Sequence, residues 1–172
     1  MEDVVHLERR IVRVGGRTRS ELKAALASAG VRLNVSAETL LEDPVFASTE
    51  AETAEDVALV ECSVGDLGLA EGVTLPQILG AAQEAGLLLC PPFAGPYLRL
   101  AMPEQPTAPD TVMSNGRAPS GSVTVASARL RPGAEYPRGF YLRVVSGEPW
   151  LRGFRCTDDA PWSPEARFAF RV

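Results

Sequence analysis

One histidine and one lysine among 172 residues leave this chain short of the usual equipment for proton transfer and phosphate binding. The histidine, His6, stands beside an end expected to fray and reads as a surface residue, so a Ser-His-Asp or Cys-His arrangement is hard to build. A phosphate-binding loop needs glycines followed by Gly-Lys and Ser or Thr. The nearest approach, Val14-Gly15-Gly16-Arg17-Thr18, lacks the lysine and the spacing and reads as a turn before a capped helix. Three cysteines, Cys62, Cys90 and Cys156, are odd in number and far apart, which argues against a disulfide framework and fits a reducing compartment. They also lack the paired spacing of a zinc site. No metal or cofactor is implied. Apolar runs such as Ala85–Cys90 fall far short of the ~20 residues that a membrane-spanning helix needs. Met1–His6 shows early acids and no leader pattern, so the expected location is cytoplasmic.

What is present begins with charge. Residues 33–98 hold eleven acids and no base, while residues 1–32 and 99–172 each carry a net charge of +3. Sixteen of the seventeen bases are arginine, the base better suited to stacking and forked hydrogen bonds. The base-free block reads first as a solvated face, and second as a surface for a basic protein partner.

Local patterns predict an α+β fold with short N-terminal helices, a central helix-strand unit and a C-terminal antiparallel β-meander. Thr18-Arg19-Ser20-Glu21 forms a capping box for a helix that Gly30 ends, and Ser36 caps a second helix over Ala37–Glu42 that Pro44 stops. Val57–Cys62 reads as a strand, and Thr74-Leu75-Pro76-Gln77 opens a helix running to Gly86. Leu87–Leu89 and Tyr97–Ala101 read as strands on either side of a proline turn. Residues 103–121, with four prolines, Asn115-Gly116 and Gly121, read as a loop or linker between a 17–102 unit and a 122–172 meander of one domain. The meander comprises Val123–Leu130, Gly139–Val145, Trp150–Arg155 and Arg167–Val172.

The most informative segment is the hairpin. With Gly147-Glu148 as a two-residue loop, Val145 faces Trp150, Arg143 faces Arg152 and Tyr141 faces Phe154. Alternation then gathers Tyr141, Arg143, Trp150, Arg152 and Phe154 on one side and the apolar Phe140, Leu142, Val144 and Leu151 on the other. A mixed arginine-aromatic side suits flat ligands or single-stranded nucleic acid; alternatively the aromatics pack under the linker and the arginines pair with acids of the central block. Cys156, beside Arg155, and the adjacent carboxylates Asp158 and Asp159 are the remaining candidates for chemistry, as a thiol or an acid/base pair in a pocket under the proline-rich loop. Asp before Ala-Pro-Trp-Ser-Pro is also ordinary turn chemistry.

Several stretches, among them Glu61-Cys62-Ser63-Val64-Gly65-Asp66-Leu67-Gly68, Leu89-Cys90-Pro91-Pro92, Gly95-Pro96-Tyr97-Leu98-Arg99-Leu100, Pro137–Leu142 and Trp150-Leu151-Arg152-Gly153-Phe154-Arg155, together resemble an uncharacterised bacterial protein family from about Arg17 to the C-terminus. Some of its members are labelled helicases, whereas this sequence lacks the motifs of one. The resemblance implies a bacterial cytosolic protein and brings no site residues with it. The expected function is a non-enzymatic binding or regulatory protein that meets a macromolecular partner, a protein or a nucleic acid, through the acidic segment or the hairpin side. A small-molecule enzyme using Asp158, Asp159 or Cys156 is the alternative.

Overall fold

The computed structural model describes residues 7–113 and 118–172, so His6 and the Asn115-Gly116 turn lie outside the described residues. Seven strands, β1 (Arg10–Val14), β2 (Arg32–Leu33), β3 (Glu55–Ser63), β4 (Val123–Val125), β5 (Gly139–Val145), β6 (Glu148–Phe154) and β7 (Arg167–Arg171), form one mixed sheet. Its order is β1-β3-β7-β4-β5-β6-β2. With five helices, α1 (Arg19–Ser28), α2 (Val35–Leu41), α3 (Thr49–Glu52), α4 (Leu75–Glu84) and α5 (Ala94–Ala101), this is an α+β fold.

The C-terminal strands are not the simple antiparallel meander the sequence suggests. Only β5 and β6 form a hairpin; β7 runs parallel to β4 and antiparallel to β3, which in turn pairs with β1. The 17–102 and 122–172 blocks therefore build one sheet jointly, with β2 parallel to β6 at the far edge.

Both capping boxes form. Thr18 and Glu21 satisfy each other's backbone amides at the start of α1, as do Thr74 and Gln77 at α4. At α2 the cap is Asn34, whose side chain accepts from Ala37 N, so the helix starts two residues before the expected Ala37. The segment expected as a strand over Tyr97–Ala101 is instead α5. It is short, has no capping side chain and carries Gly95 and Pro96 in its first turn, so the local signals that announce a helix are missing. Leu87–Leu89 contributes a single bridge, Leu88 to Arg171, and the expected strand Val123–Leu130 stops at Val125.

Each face of the sheet has its own core. Helices α1, α2, α3 and α5 bring Leu22, Leu26, Leu40, Leu41, Ala51 and Leu98 against Val57, Leu59, Leu142 and Leu151. On the opposite face α4 places Leu75, Ile78 and Ala82 over Val60, Cys62, Phe168 and Phe170. Close approach of backbones fixes the first layer: a Cβ on Gly153 would sit 2.7 Å from the Ser36 carbonyl carbon. α4 covers only the β3–β7 end of the second face, so the β4–β6 end needs another cover.

The fold also mixes charges that the sequence separates. Arg13 pairs with Asp56, Lys23 with Glu42, Arg131 with Asp43 and Arg167 with Glu61, which joins four of the eleven central acids to bases of the flanking blocks. Among the described residues no helix is long and apolar enough to cross a membrane.

Candidate binding pocket

The hairpin closes one step earlier than the sequence implies. Val145 pairs with Glu148, leaving Ser146-Gly147 as the loop, and both residues have positive φ, 51° and 78°. Two successive left-handed residues are what a turn must have to follow the right-handed twist of paired strands. Arg143 consequently faces Trp150, and Tyr141 faces Arg152. The slip is two residues, an even number, so Tyr141, Arg143, Trp150, Arg152 and Phe154 still share a side.

That side is not an open platform. Arg143 is fully buried and Tyr141 is 5% exposed. The cover comes from the described residues of the proline-rich segment, which are fastened to the sheet and are no free linker. Arg143 Nε donates to Ser120 O at 2.9 Å, and Nη2 donates to Asp110 O at 3.0 Å and Ser120 Oγ at 3.3 Å. Ala108 N donates to Val144 O at 2.7 Å, Gly147 N donates to Thr107 Oγ1, and buried Gln105 donates to Gly121 O and Leu142 O. Trp150 is half-buried with Arg152 4.1 Å and Arg32 5.8 Å from its ring centroid, so the protein's own cations already engage that ring.

Between this cover and the 156–162 segment lies a pocket of about 470 Å³, within the range of small-ligand sites. Its aromatic wall is a run of rings: Tyr141 and Phe154 lie 6.3 Å apart, and Phe154 meets Trp162 edge-on at 6.0 Å. Thr124, beside Tyr141 on β4, and Met113 from the cover complete the lining used below. Two hydroxyls distinguish this cavity from a packing fault. Tyr141 Oη and Thr124 Oγ1 belong to side chains at 5% and 3% exposure, and among the described residues neither has a hydrogen-bond partner. Among the described residues the sealed side-chain nitrogens and oxygens lacking partners are Arg99 Nε and Arg152 Nε, so both hydroxyls keep contact with solvent. The pocket is the space these hydroxyls open onto.

Of the residues singled out for chemistry, Cys156 reaches the pocket and the carboxylates do not. Burial pushes the Cys156 thiol above its ordinary pKa, more than neighbouring Arg138 and Arg129 lower it, so the expected lowering beside an arginine does not occur. Nucleophilic sulfur requires thiolate, and this environment opposes it. Cys62 and Cys90 are pushed higher still by burial, to about 11 and about 12. Asp158 is exposed and pairs with Arg129, while Asp159 accepts from Thr157 Oγ1, so the two acids act as surface turn residues outside the cavity. Among the described residues no three His, Cys, Asp or Glu side chains are grouped to hold a metal ion.

Compared with known families, curated proteins and solved structures, the chain matches none. The pocket's own chemistry must therefore carry its interpretation. Sequence reasoning found Tyr141 and Phe154 but missed Thr124 and Trp162. Thr124 was legible only as a strand residue. Trp162 sits in Ala-Pro-Trp-Ser-Pro, which signals a turn and hides the fact that the turn, bridged to Val73, lays its ring against Phe154 and Phe168 of the sheet.

Proposed function

We propose that this protein is a binding protein whose recognition site is the covered pocket on the β4–β6 face, and that its ligand is a small, flat molecule carrying a hydrogen-bonding edge. The observation that carries this reading is the pair of hydroxyls, Tyr141 and Thr124, that have no partner among the described residues and stand beside an aromatic wall. Rings offer broad apolar contact, and two fixed hydroxyls supply orientation, a combination typical of ligand sites. The macromolecular partner expected from the sequence draws less support. Arg143 spends its donors on the covering segment, and four of the eleven acids of the central block are tied into ion pairs. Catalysis draws less as well, because the pocket's thiol is held protonated and the two carboxylates lie outside it.

Titrating ¹⁵N-labelled protein with indole tests the reading. Saturable displacement of the Thr124, Tyr141 and Trp162 resonances is expected. Displacement confined to other regions, or none, would contradict it.

A further inference from the structure

Resting on that reading, we infer that the ligand is an anion, specifically an aromatic carboxylate, whose charge is met by Arg155. Among the described lining residues of the pocket, Arg155 is the one charged side chain. It is exposed, and among the described residues it has no hydrogen bond, ion pair or ring contact of its own. Other arginines on this side are already used: Arg143 holds the covering segment, Arg152 lies over Trp150 and donates to Met113 Sδ, and Arg129 pairs with Asp158. An uncommitted guanidinium at the rim of an acid-free cavity selects for negative charge, and its planar fork matches a carboxylate in two parallel hydrogen bonds.

Depth and rim then divide the ligand between them. Tyr141, Phe154 and Trp162 take a flat ring, Tyr141 Oη and Thr124 Oγ1 take a polar ring atom, and Arg155 takes the carboxylate. A zwitterion or a cation is disfavoured, because none of the described lining residues is acidic. Arg155 stands one residue past the end of β6, lines the pocket and is exposed, which places it at the solvent edge of the cavity.

The test uses three probes of one shape: indole-3-carboxylate, neutral indole-3-carboxamide and cationic indole-3-methylamine, titrated into the full-length protein by calorimetry at pH 7.5. A charge-assisted pair at a half-open rim predicts that the carboxylate binds about tenfold tighter than the carboxamide and that the amine binds weakest. In Arg155→Gln the carboxylate's advantage over the carboxamide should vanish. Equal binding of all three probes, or an advantage that survives Arg155→Gln, would overturn the inference while leaving the pocket reading in place. Failure of all three to bind would overturn both.

Discussion

Replacing Arg143 with methionine tests how the pocket acquires its cover. The substitution keeps most of the apolar stem and deletes a guanidinium that makes four hydrogen bonds of 2.9 to 3.4 Å to Asp110 and Ser120, one of them an ion pair with the Asp110 carboxylate. Bonds from a charged donor contribute about 1.5–3 kcal/mol each when the group is buried. The acceptors here lie in a surface segment where water replaces the lost donor, and burying the charge itself carries a cost, so most of that sum cancels. A net loss of about 2 kcal/mol remains. For a chain of this length that corresponds to roughly 4–8 °C in Tm. Guanidinium denaturation gives the stability, and hydrogen exchange of the Ala108 amide, which donates to Val144 O, reports whether the cover stays seated. Faster exchange at Ala108 should accompany the loss. A change below about 0.5 kcal/mol, the range of ordinary surface substitutions, with Ala108 protected as before, would refute the assignment of Arg143 as the anchor.

Tyr141→Phe should alter stability by no more than about 0.5 kcal/mol, because the deleted hydroxyl has no partner among the described residues, while indole affinity measured by titration should fall. Gly153→Ala should cost about 1–3 kcal/mol in denaturant unfolding, since its Cβ would press on the backbone of Ser36 and Ala37. The Asp43 carboxyl is raised by burial, but hydrogen bonds from Tyr136, Val45 N and Arg131 outweigh this and hold its pKa below the ordinary value. Its contribution to stability is thus present above about pH 4 and is lost as pH falls through the lowered folded value; the acid limb of a stability profile should flatten in Asp43→Asn. All three thiols should react slowly with a disulfide reagent at pH 7.5 and rapidly once the chain is unfolded, in line with their raised pKa values.

Local signals in the sequence located most of these elements and failed at definable places. Thr18 and Thr74 announce their helices because a capping box is complete within four residues. Helix α5 is hidden because it is short, opens on Gly95-Pro96 and has no capping side chain, and β1 because Arg10-Ile11-Val12-Arg13-Val14 is short and does not alternate cleanly. Strand order is a long-range property: nothing local in Glu55–Ser63 says that it inserts between β1 and β7. The candidate side of the hairpin survived a wrong loop only because the slip was even. Whether that side is open or covered was not legible, for a different reason. Composition marks residues 103–121 as irregular, and irregular segments can still be fastened by hydrogen bonds, here by Gln105, Ala108 and Arg143.

The account's central claim is that the covered β4–β6 face is a ligand site. A crystal structure of the protein grown with indole measures this directly. The ring should appear between Tyr141, Phe154 and Trp162 with its nitrogen in reach of Tyr141 Oη or Thr124 Oγ1. A pocket filled only by ordered water at saturating indole, or indole bound elsewhere, would contradict it.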